Sequence, residues 1–191
     1  MSMIGNFRAV RDDDIGAMLE RPARVVRLLY DEAPVESGGL LGRLMGRSGS
    51  SPEEDEWRPT AAGEELDVDK AWHGIHFLLT GTAWAGDPPL DFIVQGGREI
   101  GNIDVGYGPA RAFSSSDVRD LAEALAPIEP EVLRDRFDPE QMMAQGVYPE
   151  IWDRDPADDD TLGYLLEYFG DLRAFVRRRA ERGEGMLIYV N

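Results

Sequence analysis

The most regular hydrophobic pattern lies in the last third of the chain. Apolar side chains recur there with the roughly 3.6-residue period of a helix, at Leu162, Leu165, Leu166, Phe169, Leu172 and Val176. Three aspartates, Asp158–Asp160, precede this run and four arginines close it by Arg182, an order that complements the helix macrodipole. We predict a long central helix from these aspartates to about Arg182, followed by a strand over Met186–Val190.

The N-terminal pattern predicts a strand and a helical hairpin. Residues Ile4–Val10 alternate as in a strand. Asp12–Asp14 can cap a following helix, because their side-chain oxygens accept from unpaired backbone N–H groups. Pro22 suits the first turn of a second helix, which carries apolar residues up to Tyr30 and stops by Pro34.

The central pattern predicts a helix and then a strand. Asp67 is the expected N-cap of a helix from Val68 to about Thr80, and Gly81 stands where that helix should end. Leu90–Gln95 alternates weakly before two glycines, which indicates a strand.

Turn residues then divide the chain into short elements. A turn at Gly106–Pro109 precedes a strand over Ala110–Phe113. Ser114 and Asp117 have nearly the spacing of a capping box and start a helix that runs through Leu125. Prolines break this helix, and we predict two short helices and a buried irregular connection beyond it, over Glu131–Arg136, Pro139–Ala144 and 146–152.

Residues 42–63 differ from the rest of the chain in composition. They contain a Gly/Ser-rich stretch followed by four consecutive acidic residues, too polar to offset the entropy of ordering by burial. We predict a mobile acidic loop within one domain rather than a linker between two. For Trp57, packing against the edge of the domain is favoured over stacking on a ligand.

Length and charge restrict the class of protein. A chain of 191 residues suits one domain spanning 1–191. Its 20 basic and 37 acidic residues give a net charge of −17, which repels nucleic acid and anionic membranes. There is no cysteine to form a disulfide, nucleophile or zinc ligand. A polar N-terminus and the lack of any long apolar stretch predict a cytoplasmic protein.

The two histidines are the first candidates for chemistry. His73 and His76 lie on the helix predicted from Val68 to about Thr80, and Asp69 stands four residues before His73. All three therefore fall on one helical stripe. Such a set can hold a transition metal or supply a general base, but it lacks the spacing of a zinc protease motif and sits among core residues. A hydrogen-bonded structural role is favoured over a pocket wall. A metal is the least favoured reading, so we predict neither metal nor cofactor.

Two glycine-rich segments follow. Gly96–Gly101 lacks the Lys-Ser/Thr of a phosphate-binding loop, so its glycines are best explained by backbone conformation. In the segment Gly106–Arg111, Tyr107 offers a ring and Arg111 a planar guanidinium that fits a carboxylate or phosphate. Pairing of Arg111 with an internal acid such as Asp69 or Asp104 is favoured over capture of a ligand.

Several of these segments together resemble the YfbM-like family of bacterial proteins, a family of unknown function. The resemblance spans nearly the whole chain and is carried by Met3–Asn6, Leu66–His76, Gly96–Gly101, Gly106–Arg111 and Tyr148–Trp152. It implies an α+β fold, a single compact and mostly helical domain with a small mixed or antiparallel sheet from N-terminal, central and C-terminal strands. It implies no activity. It points to a set of candidate pocket residues, which are Asp69, Lys70, Trp72, His73, His76, Tyr107 and Arg111.

Two function classes remain open at this point. The preferred one is a non-enzymatic binding module whose acidic surface meets a basic partner protein, as an immunity or inhibitor protein meets its target. The alternative is an enzyme or small-molecule-binding protein with a pocket between the Asp69–His76 helix and the Gly106–Arg111 turn. In that alternative a histidine acts as acid or base, and Arg111 holds an anionic group. The sequence predicts no particular reaction and no oligomeric state.

Overall fold

The computed structural model describes residues 2–30, 57–60 and 63–191, and within them the strands form one antiparallel sheet. The strands are, in chain order, β1 (Gly5–Val10), β2 (Glu65–Asp67), β3 (Arg98–Asp104), β4 (Pro109–Phe113) and β5 (Gly185–Val190). Their order across the sheet is β2-β1-β5-β4-β3. The first and last strands of the chain therefore pair at its centre.

Seven helices within the described residues cover both faces of this sheet. They are α1 (Asp12–Glu20), α2 (Arg24–Tyr30), α3 (Ala71–Thr80), α4 (Ser115–Leu125), α5 (Pro130–Arg136), α6 (Pro139–Ala144) and α7 (Thr161–Arg182). The helices α1 and α2 pack on one face, and the other helices pack around α7 on the opposite face. This arrangement confirms the predicted α+β fold.

Alternation along the two central strands divides the core between the two faces. Phe7 of β1 and Ile188 of β5 are paired in register and point into the larger cluster beneath α7. Leu187 and Tyr189 point into the smaller cluster beneath α1 and α2. Neighbouring residues of a strand face opposite ways, so an almost uninterrupted apolar strand such as β5 requires cover on both faces.

Most of the predicted elements are confirmed. The helix α7 begins after Asp160, whose carboxylate accepts from the backbone N–H of Gly163. Ser114 and Asp117 form the expected capping box of α4. Trp57 packs against the smaller cluster at the edge of the domain, and its carbonyl accepts from Arg27. The predicted loop 42–63 lies outside the described residues, apart from 57–60 and 63.

Three local predictions are wrong. The helix α3 begins at Ala71 rather than Val68, and Asp67 ends β2 instead of capping a helix. Its carboxylate accepts from the N–H of Asp69 at 2.6 Å, which favours a turn over a longer helix. The helix α1 has Arg11 at its N-cap without a side-chain cap; the carboxylate of Asp12 accepts from Ser115 instead. Leu90–Gln95 forms successive turns rather than a strand.

Candidate functional site

The candidate residues surround one segment, residues 81–97, which connects α3 to β3 and contains no regular helix or strand. The helix α3 ends at Gly81, whose left-handed conformation (φ 78°) suits a glycine. A segment without its own hydrogen-bond ladder must satisfy its backbone groups elsewhere. Two of the predicted site residues, His73 and Arg111, serve this purpose.

His73 is fully buried and both of its ring nitrogens are occupied. Nδ1 accepts from the backbone N–H of Tyr148 at 3.0 Å, and Nε2 lies 2.6 Å from the carbonyl of Ala83. These partners require Nδ1 to be the acceptor and Nε2 to carry the proton, so the ring is neutral. Burial accordingly lowers the pKa of His73. The imidazole links α3 to the 81–97 segment and to the segment containing Tyr148.

His76 lies one turn further along α3 and is also fully buried. Burial, together with the nearby charges of His73 and Arg111 and against the carbonyl of Ala85, lowers the pKa of His76 from 6.5 to about 4. Its Nδ1 has no hydrogen-bond partner among the residues described. The ring is therefore neutral and closed off from solvent, with weaker attachment than His73.

Arg111 of β4 holds the same segment from the side of the sheet. Its guanidinium donates to four backbone carbonyls, with Nη2 to Ile93 at 2.5 Å and Nη1 to Phe92 at 3.0 Å, Gly96 at 3.0 Å and Gln95. The expected pairing with Asp69 or Asp104 does not occur. Burial lowers the pKa of Arg111 to about 10, and the charges of Asp91 and Glu99 oppose that shift. The side chain acts as a cap for the turns of residues 90–96.

Trp72 belongs to an aromatic cluster beside His73. Its indole stacks on the His73 ring at 4.7 Å between centroids, and its N–H donates to the carbonyl of Met3. Trp84 also packs on the His73 ring, tilted by 50° at 4.3 Å between centroids, while remaining 55% exposed. Tyr148 stacks on Trp72 at 6.2 Å. The cluster anchors the chain's N-terminal residues and the 81–97 segment to α3.

The remaining candidates lie apart from this cluster. Asp69 and Lys70 precede α3, so they do not share a helical stripe with the histidines. The Asp69 carboxylate accepts from the Tyr164 hydroxyl at 3.0 Å, and that hydroxyl accepts from the Lys70 N–H. Burial and this carboxylate hold the pKa of Tyr164 well above its usual range. Tyr107 is half exposed on the β3–β4 turn, and its N–H donates to the carbonyl of Val190.

The structure therefore brings His73, His76 and Arg111 to one segment and leaves Asp69, Lys70 and Tyr107 elsewhere. Within the described ranges, no group of three His, Cys, Asp or Glu side chains could hold a metal ion. The same residues include no helix long and apolar enough to cross a membrane.

A cavity of about 650 Å³, which the sequence patterns did not predict, lies between α6, α7 and the segment that joins them. Its floor is apolar and consists of Phe137, Met143, Trp152 and Leu162. Glu140, Asp153 and Asp160 stand around it. The sequence contains a pattern that could have predicted this cavity, because an aromatic residue at 152 precedes five aspartates within residues 153–160. We call this cavity the acidic cleft.

Negative charges outnumber positive charges among the described residues that line the acidic cleft. Arg154 is the one cation among its described lining residues, and it already pairs with Asp159 at 2.6 Å. Asp160 is engaged as the cap of α7. Glu140 and Asp153 are exposed, and no described residue donates a hydrogen bond to either carboxylate. The cleft thus presents apolar surface beside uncompensated negative charge.

Both the fold and the sequence of the chain match known proteins, and those proteins are of unknown function. The fold is similar to that of a crystal structure titled as a protein of unknown function, YfbM from Escherichia coli, with a TM-score of 0.67 and 20% sequence identity over 98% of this chain and 99% of that one. The sequence profile of the family described as "Domain of unknown function (DUF1877)" matches residues 1–189. The chain belongs to this family. No curated protein matches the sequence.

Proposed function

We propose that the protein is a non-enzymatic binding module that uses the acidic cleft to hold a basic segment of a partner protein, in the manner of an immunity or inhibitor protein. The observation that carries this proposal is the apolar floor of Phe137, Met143, Trp152 and Leu162 beneath the free carboxylates of Glu140 and Asp153. Such a surface suits an apolar side chain flanked by arginine or lysine. The net charge of −17 accelerates encounter with such a partner.

The enzymatic or small-molecule alternative, with a pocket between the α3 segment and the Gly106–Arg111 turn, has less support. Both histidines are fully buried and neutral, and His73 has no ring nitrogen free to move a proton. The guanidinium of Arg111 is committed to carbonyls, which leaves it poorly placed to hold an anionic substrate. We also propose a bacterial source, since a protein of similar fold comes from Escherichia coli, and we keep the cytoplasmic location that the sequence predicts.

The test is affinity capture with two variants of equal charge. Glu140→Gln combined with Asp153→Asn neutralises the acidic cleft, while Glu167→Gln combined with Asp171→Asn neutralises exposed carboxylates elsewhere on α7. We expect a basic protein captured by the wild type to be lost with the cleft variant and kept with the α7 variant. Binding should also weaken at about 0.5 M salt, where the screening length falls to roughly 4 Å.

Two results would contradict the proposal. Equal loss with both variants would show that net charge alone attracts the partner. Equal retention with both would place the interface outside the acidic cleft. Direct titration of the purified partner against each variant then separates a change in affinity from a change in recovery.

A further inference from the structure

A second cavity of about 370 Å³ lies between the 81–97 segment and α4, remote in sequence from the acidic cleft. Phe92, Phe113 and Leu121 give it apolar walls, and Asp91, Asp117 and Asp120 bring three carboxylates to it. Its volume lies within the roughly 300–1,000 Å³ of small-molecule sites. We call it the Asp91 cavity.

Asp91 is the unusual residue of this cavity. It is only 6% exposed, yet no described residue donates a hydrogen bond to its carboxylate. Its oxygens are not among the enclosed atoms without a partner in the described residues, so they open to the cavity that Asp91 lines, where a ligand's donor can reach them. By contrast, Asp117 is bound by Ser114 in the cap of α4.

The cations near Asp91 do not occupy its oxygens. The charge of Arg111 acts on Asp91 from the sheet side, but its hydrogen bonds go to the carbonyls of residues 92–96. No ion pair within 4.0 Å joins Asp91 to any described cation, including Arg98 at the rim. Arg111 is therefore near Asp91 without bonding to its carboxylate.

We propose that the Asp91 cavity binds a small organic cation, a primary ammonium or guanidinium on a short apolar stem. The charged group would donate to Asp91 and face Asp120, and the stem would lie against Phe92 and Phe113. Aromatic rings cover methylene groups well. The Phe113 ring already carries the Arg111 guanidinium at 5.7 Å from its centroid, so the ligand's charge is directed to the carboxylates and its stem to the rings. The apolar walls suit such a stem better than they suit a hydrated metal ion. This site is independent of the acidic cleft.

The experiment is an NMR titration of the full chain with phenethylammonium, using 2-phenylethanol as the neutral probe of the same shape. We expect saturable shifts of the backbone amides of Asp91, Gly96 and Gly97 with the ammonium only. Asp91→Asn preserves the shape and removes the charge, and it should weaken binding about tenfold, the value of one charge-assisted hydrogen bond. Asp120→Asn should weaken it about threefold, since that carboxylate is exposed.

A matched control on the same helix is Glu123→Gln, which is exposed and does not line the cavity; it should leave binding unchanged. Should Asp91→Asn fail to fold, Asp120→Arg decides the question, because it places a cation at the mouth from an exposed position and should weaken binding at least tenfold. Equal binding of the alcohol, unchanged binding in Asp91→Asn or in Asp120→Arg, or no saturable shift at millimolar ammonium would each overturn the proposal.

Discussion

The surroundings of the 81–97 segment and the acidic cleft use polar residues in opposite ways. Around the segment, His73 is buried and Arg111 half-buried, and their polar atoms are bound to backbone groups. In the acidic cleft, Glu140 and Asp153 are exposed and accept no hydrogen bond from the described protein. Residues with catalytic potential can thus hold a fold together, and common carboxylates can form the available binding surface. The difference lies in whether the polar atoms are already satisfied.

The largest expected effect is on the stability of the segment. Arg111→Met removes four hydrogen bonds and leaves the carbonyls of the buried residues Phe92 and Ile93 unpaired, which should lower the free energy of unfolding by about 4 kcal/mol. Urea denaturation measures this change. The control Arg98→Met removes an exposed guanidinium and should change stability by less than about 0.5 kcal/mol. A loss in Arg111→Met no larger than in this control would show that the segment does not depend on Arg111.

A matched pair of substitutions separates the two histidines. His73→Phe leaves the N–H of Tyr148 and the carbonyl of Ala83 unpaired, whereas His76→Phe removes a ring whose Nδ1 has no described partner. We expect His73→Phe to cost about 2 kcal/mol more than His76→Phe in urea denaturation. Equal losses would mean that ring volume, rather than hydrogen bonding, determines both.

The buried histidines also predict how stability varies with pH. The folded pKa of His76, about 4, lies below its ordinary value of 6.5, so the unfolded chain binds more protons between these values. The contribution of His76 to the free energy of unfolding is therefore fully present above about pH 6.5. It is lost as the pH falls, with about 2 kcal/mol lost by about pH 5. His73 contributes in the same direction.

Urea denaturation at several pH values, kept above the sequence pI of about 4.4, measures this slope. Carboxylates contribute to the wild-type slope as well, so the informative quantity is the difference between wild type and His76→Phe. The variant should lose less stability on acidification. Parallel curves would show that His76 is readily protonated in the folded protein.

The smallest expected effect completes the comparison. Glu140→Gln combined with Asp153→Asn should change the free energy of unfolding by less than about 0.5 kcal/mol, because neither carboxylate holds another described residue. A stabilisation is also consistent with the comparison, since acidic groups near one another repel. A loss of several kcal/mol would assign the acidic cleft the same structural role as the 81–97 segment.

The comparison also explains which parts of the structure were predictable. The helix α7, the capping box of α4 and the final strand followed from periodicity and from caps formed by residues close in sequence. Leu90–Gln95 was predicted wrongly because a weak alternation cannot reveal that Arg111, sixteen residues after Gln95, will bind its carbonyls. The start of α3 was predicted too early because Asp67 can form an Asx turn as readily as a cap.

By itself the sequence determined the strongly periodic elements, their capping residues and the acidic character of the protein. It also determined which residues are capable of acid–base or binding chemistry, because all of these depend on local pattern and composition. Only the tertiary structure decided which polar atoms are satisfied. It buried His73 and His76, bound Arg111 to the 81–97 segment, and left Glu140, Asp153 and Asp91 without described donors. Those outcomes depend on contacts between residues far apart in the chain, which a local pattern does not encode.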